Sequence, residues 1–273
     1  MSTPTSSETA GASRGGRPGK LRITTRDIEL LCFMAEQRLV LAEHVGALLG
    51  VSVAAAERRL RALTRAGYVR RQRLFDRKPS CYQIVRDGLA VIGSDLPTPR
   101  LDLRSYEHDI GLGWLWLAAR AGRFGALSRV VSEREMRSRD GRAGGEGKPL
   151  GRQDPIGVRL GGSGPGGRRR LHYPDLLLRT TSEHTVAVEL ELSSKGRTRR
   201  EKILAGYAGD PRIDAVLYLV ERGRVGDEVA ASARRLGISH MVHVQRAVSA
   251  ARAQRATGRA RAARRAAGPE AAR

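Results

Sequence analysis

Four residues late in the chain carry the strongest chemical suggestion: Asp175, Glu189, Glu191 and Lys195. The segment 184–192 alternates, with Val186, Val188, Leu190 and Leu192 on one side and Ala187, Glu189 and Glu191 on the other, as a strand would. If the turn before it centres on Ser182, Asp175 stands opposite Glu189 in a hairpin, and three carboxylates come together. Carboxylates side by side on an otherwise apolar strand repel one another and need neutralising. A hard divalent cation such as Mg²⁺, held by Asp175, Glu189 and Glu191, is one solution, and it would activate water beside a phosphodiester. Lys195 would then be the fourth catalytic residue, orienting water or stabilising charge, with Glu133 or Glu107 assisting. Two plainer readings stand beside this one. The strand is half-exposed and its acids pair with Arg197, Arg199 or Arg200, or the carboxylates form a structural or DNA-contacting cluster without turnover. His108 and His172, each at the start of an element, have hydrogen-bonded structural roles as their plain reading.

The second chemical group is cationic. Arg58, Arg59, Arg61 and Arg65 fall on one helical segment, and Arg70, Arg71, Arg73, Arg77 and Lys78 on the hairpin that follows. Guanidinium forks bind phosphates and guanine edges in bidentate fashion, so this set suits double-stranded DNA. The whole chain agrees: 50 Lys+Arg against 28 Asp+Glu over 273 residues give a net charge of +22, which attracts polyanions. A GC-rich genome, which inflates Arg, Ala and Gly whatever the function, is the competing source of that charge.

The elements that must position these residues form two domains. In residues 21–95, a helix starts near Thr25 with Ile28, Leu31, Cys32, Met34 and Ala35 inward, and Thr24 or Thr25 as its cap. A short helix from about Leu41 carries Val45, Leu48 and Leu49 inward and stops at Gly50. Ser52 caps a third helix reaching Ala66, with Ala56, Leu60 and Leu63 as its buried stripe. Strands at 68–74 and 81–85, joined by the turn Asp76-Arg77-Lys78-Pro79, complete a basic hairpin. A short turn between two helices, the second basic outside, is the helix-turn-helix arrangement. Pro97 and Pro99 mark the boundary.

Residues 101–245 read as helix, three strands, helix, strand, helix and strand. The first helix covers Tyr106–Ala121, with Ile110, Trp114, Leu117 and Ala118 as its stripe. Residues 138–170 hold eleven glycines and read as a flexible insertion. Residues 1–20 read as a disordered basic arm. Residues 246–273, with eight arginines against the single acid Glu270, read as an Ala/Arg-rich basic tail. Cys32 and Cys81 have no metal-ligand or disulfide spacing and read as buried thiols. No apolar run approaches a membrane span and the polar N-terminus has no signal core, so a cytoplasmic protein with no membrane partner is expected.

The stretch from Leu41 to Ile92, with "RLRALTRAGYVRR" running from helix into hairpin, resembles bacterial winged-helix regulators. The run His172-Tyr173-Pro174-Asp175 followed by Glu189-Leu190-Glu191 resembles the PD-(D/E)xK nuclease signature, with Glu191 where lysine is usual. That departure leaves catalysis open. The fold implied is α+β: an N-terminal winged helix-turn-helix followed by an α/β restriction-endonuclease-like domain. "SEREMR", "HYPDLLL", "VAVELELSSKGRTRREKILAGY" and "VLYLV", following the winged helix, resemble the replication-relaxation family of plasmids and mobile elements over about residues 25–245. The resemblance implies a DNA-binding role in plasmid replication-relaxation, mobilisation or their regulation. A Mg²⁺-dependent endonuclease or nickase targeted by the winged helix, and a transcriptional regulator, are the alternatives. Paired half-sites would suit a homodimer, although the sequence marks no interface.

Overall fold

The structure, a computed structural model, describes residues 21–143, 155–163 and 169–247. Its first helix, α1 (Thr25–Glu36), begins where Thr24 and Asp27 cap each other. The Thr24 hydroxyl accepts from the Asp27 N–H at 3.3 Å, and the Asp27 carboxylate accepts from the Thr24 N–H at 2.7 Å. Then follow β1 (Val40–Leu41), α2 (Ala42–Leu49), α3 (Val53–Arg65), β2 (Val69–Gln72), β3 (Cys81–Ile84) and α4 (Arg86–Val91). Gly50, at φ 65°, ends α2 in the left-handed conformation that suits glycine. Ser52 opens α3 two residues later, its hydroxyl accepting from the Ala55 N–H at 3.2 Å. The strands form an antiparallel sheet ordered β1-β3-β2, with Val69 opposite Ile84 and Val40 opposite Tyr82. Leu30, Leu31, Phe33, Val45, Leu60 and Leu63 fill the core beneath it.

Two expectations change here. β1 is a two-residue strand, too short to leave a period in the sequence. Cys32, expected inside, is exposed, whereas Cys81 is buried. The inward residues of α1 include Leu30, Leu31, Phe33 and Met34, which rotates Cys32 outward.

The second lobe starts with α5 (Tyr106–Arg120), β4 (Leu127–Ser132), α6 (Glu133–Ala143), β5 (Val158–Ser163) and β6 (Arg169–His172). It continues through β7 (Leu176–Thr180), β8 (Thr185–Glu191), α7 (Arg197–Ala208), β9 (Ala215–Val220), α8 (Gly223–Arg235) and β10 (Val242–Arg246). Five strands form one mixed sheet, ordered β10-β9-β8-β7-β4. β4, β7 and β8 pair antiparallel; β8, β9 and β10 run parallel through the crossover helices α7 and α8. The parallel strand β9 is apolar throughout because both of its faces are covered. On one face Leu176, Leu178, Val188 and Leu190 pack against Leu112, Leu115 and Ala119 of α5. On the other, Ala187, Val216 and Tyr218 pack against Ile203, Leu204 and Val229 of α7 and α8.

Residues 138–170, expected as one flexible insertion, contain regular structure where they are described. α6 runs on to Ala143, and β5 pairs antiparallel with β6. The Asp140 carboxylate accepts from the Ile156 and Gly157 N–H groups at 2.8 and 3.0 Å, and Val158 is buried in the core. Abundant glycine hid the Val158–Leu160 alternation. The rest of that insertion, the expected arm at 1–20 and the expected tail beyond residue 247 lie outside the described residues.

The α5 helix belongs to both lobes. Trp116 and Leu117 pack against the first core while Leu112, Leu115 and Ala119 pack against the sheet. A single stripe was therefore the wrong expectation: α5 is covered on two sides and its pattern follows neither. Among the described residues no helix is long and apolar enough to cross a membrane.

Candidate functional site

The hairpin β7–β8 pairs Leu176 with Val188, so its register places Asp175 beside Glu189 as the sequence indicated. The surroundings differ from the expectation of a half-exposed strand. Glu189 is 1% exposed and Glu191 3%, because α7 lies over this face of the sheet. Their partners are also different: Arg197 pairs with Glu201, and Arg200 with Glu228. Glu189 Oε1 instead meets His172 Nε2 at 2.7 Å and accepts a hydrogen bond from the Tyr207 hydroxyl. The Lys195 ammonium lies 3.4 Å from Glu189 Oε2 and 2.7 Å from Glu191 Oε2, and the Lys195 N–H donates to Glu191 Oε1 at 3.1 Å. Asp175 Oδ2 accepts from the Leu190 N–H at 2.7 Å and lies 3.1 Å from His108 Nε2.

These contacts set the charges. Burial would raise the Glu189 pKa, but the charge and hydrogen bond of His172, with Lys195 and Tyr207, hold it well below the usual carboxylate range. Burial would lower the Lys195 pKa, and Glu189 and Glu191 together push it up instead. His108 is likewise raised, its desolvation outweighed by Asp175. The Tyr207 hydroxyl is driven well above its ordinary value by burial and by the adjacent Glu189. The acids thus find their partners within the fold: the Lys195 ammonium, the His172 and His108 rings and the Tyr207 hydroxyl.

This arrangement does not fit a metal centre. Among the described residues no three His, Cys, Asp or Glu side chains form a group that could hold a metal ion. A Mg²⁺ shared by Asp175, Glu189 and Glu191 would have to take the position of the Lys195 ammonium, which bridges the two glutamates. In this arrangement the expected triad is closed by the Lys195 ammonium rather than open to a cation. Glu107 and Glu133, expected as helpers, are engaged elsewhere: Glu107 with Lys78 at 2.8 Å, and Glu133 with Arg38 and Arg137 at 2.7 Å each.

Tyr207 was missed from the sequence, although a signal was there. It continues the buried stripe Arg200, Ile203, Leu204, and a tyrosine hydroxyl inside such a stripe needs a partner.

The arginines separate into two groups. Arg58, Arg61 and Arg65, at helical spacing on the outer face of α3, line an open concavity of about 430 Å³ with Thr64 and with Arg71 of β2. Arg58 and Arg65 have no hydrogen-bond or ion-pair partner among the described residues. Arg59 turns the other way: its guanidinium grips the buried Asp27 carboxylate and donates to the Arg22 carbonyl at 3.2 Å. Arg70 donates to Gln83 across the hairpin at 2.9 Å, and Arg73 to the Asp76 carbonyl at 2.7 Å. Lys78 reaches Glu107 of α5, and Arg77 is exposed at the hairpin tip. Of the nine residues expected to contact DNA, four converge on one concavity, while Arg59 holds α3 on α1.

A third polar group joins the lobes. Arg38, just before β1, lies 2.7 Å from Glu133 and 3.6 Å from Asp109, while the Arg134 guanidinium donates to the Ala35 and Pro97 carbonyls. Asp109 is 1% exposed and burial raises its pKa to about 6 despite Arg38. Glu107, His108 and Asp109, consecutive at the start of α5, thus touch the hairpin tip, the acid cluster and the Arg38 connector in turn.

No family model matches this chain, and no curated protein matches it. Among solved structures, one point mutant of Lactococcus lactis ZitR is 17% identical over 39% of this chain and 67% of that one, with a TM-score of 0.25. A second ZitR point mutant, in complex with DNA, is 16% identical over 42% and 70%, also at 0.25. PigF with SAH is 15% identical over 81% and 56%, at 0.18. At such scores the likeness carries no functional inference.

Proposed function

We propose that the chain binds double-stranded DNA through its N-terminal lobe, a winged helix-turn-helix, in support of the replication-relaxation, mobilisation or regulation of a plasmid or mobile element. One observation carries the reading: Arg58, Arg61, Arg65 and Arg71 converge on a single open concavity beside α3. Cations gathered with so little internal counter-charge call for an external anion, and a helix-turn-helix with a following hairpin presents that face to a duplex. The mobile-element context rests on the sequence resemblance alone. Titrating a fluorescent duplex with the full chain tests the DNA reading. Arg58→Ala/Arg61→Ala/Arg65→Ala is expected to weaken binding at least about tenfold with the melting temperature unchanged, and equal affinity would sink the reading.

A second reading, a restriction-endonuclease-like nickase, draws on the strand order and on Asp175 and Glu189 side by side with Lys195 at 3.4 Å. The poor fit to a metal ranks it second. Supercoiled plasmid incubated with Mg²⁺ decides: nicking abolished by Asp175→Ala supports it, and intact plasmid across protein and metal concentrations removes it.

A further inference from the structure

We infer that the groove between α3 and β2 holds the phosphates of one DNA strand while the first turn of α3 meets the bases through apolar contacts alone, so that the protein reads backbone shape far more than sequence. This rests on the DNA-binding reading above and goes beyond it by dividing the surface.

In a helix-turn-helix the N-terminal residues of the second helix approach the base edges. In α3 that turn is Val53, Ala54, Ala55 and Ala56, with Val53 42% exposed and Ala56 buried in the core. None has a side-chain donor or acceptor. The hydroxyl of Ser52 is already engaged with the Ala55 N–H, capping the helix. Base-edge discrimination depends on such donors and acceptors, and without them what remains is contact with thymine methyl groups.

The charged half of the helix is built differently. Arg58, Arg61 and Arg65 point along one stripe into the concavity that Arg71 closes from the hairpin. The Thr64 hydroxyl, on the same wall, donates back to the Leu60 carbonyl at 2.8 Å and adds no readout. Glu57, the acid on α3, lies 3.7 Å from Arg61 and is offset by it. The groove therefore offers guanidinium forks and little else, which suits phosphate oxygens.

The test uses the full chain, a random-duplex pool and two unrelated duplexes of equal length. The two duplexes are expected to bind within about tenfold of each other, with no consensus emerging from the pool. Arg65→Ala/Arg71→Ala is expected to weaken both equally and to lower the slope of log affinity against log salt by about two, one for each lost phosphate contact. Val53→Asn is expected to change the ranking of duplexes and leave the slope alone. Thermal melting checks that each variant is folded. A preference above about a hundredfold for one sequence, or a salt slope unchanged in the double variant, overturns the inference while leaving DNA binding intact. Failure to bind any duplex at low salt overturns DNA binding itself.

Discussion

The acid cluster on the five-stranded sheet and the arginine groove beside α3 handle charge in opposite ways. Glu189 and Glu191 are buried, and both meet the Lys195 ammonium inside the protein, with the His172 ring beside Glu189. Arg58 and Arg65 stand in an open groove without a partner among the described residues. Buried charge must be matched where it lies, or desolvation costs the fold several kcal/mol. Exposed charge carries little cost and stays available to a partner. The cluster is therefore balanced within the fold, whereas the groove keeps its charge open to solvent. Sequence alone shows acids and arginines in comparable runs, and only burial separates them.

That contrast can be broken by substitution. The largest effect is expected from Glu189→Ala, which leaves Lys195 and His172 facing a hole and should cost about 3–5 kcal/mol in urea denaturation. Because the Glu189 pKa is depressed in the fold, its contribution is present above the unfolded value of 4.5 and fades as pH falls toward the lower folded value. The variant should lack that part of the acid limb. A cost under about 1 kcal/mol would show that the cluster is not structural.

Asp109 tests the intermediate case, a buried acid poorly matched by Arg38. Its pKa is raised from 3.8 to about 6, so the fold favours the neutral form. The penalty is absent below the unfolded value, grows as pH rises from 3.8 through about 6, and is full above it. Asp109→Asn is expected to gain on the order of 2 kcal/mol over the native chain at about pH 8 and to lose that advantage by about pH 4, read from paired melting curves. No pH dependence in the difference would mean that Arg38 compensates the charge fully.

Arg59→Ala should cost about 1–3 kcal/mol by leaving the buried Asp27 carboxylate without its guanidinium, although the neighbouring arginine can be removed freely. Arg58→Ala, the smallest effect, should stay within about 0.5 kcal/mol in stability. A calorimetric pair of these two variants sharpens the division between structural and available arginines. Equal destabilisation would erase it.

Much of this was legible in the sequence. Ser52 as a cap, the stripe Ala56, Leu60 and Leu63, and Gly50 as a stop define α3 by local rules. The pairing of Asp175 with Glu189 followed from the turn at Ser182 and the two-residue period, because hairpin register is a local property. What failed was non-local. Arg59 meets Asp27 from 32 residues away, and Tyr207 meets Glu189 from 18. Such contacts depend on how helices lie against their neighbours, which no short window of sequence contains. The strands β5 and β6 were lost for another reason: they sit among glycines that match no strand pattern.

Glu107, His108 and Asp109 are successive residues on one helix, where each step advances only about 1.5 Å. Their contacts with Lys78, Asp175 and Arg38 are therefore stacked on a single short axle. The two lobes are thus tied to one another by side chains from a single helical turn as well as by the chain that joins them.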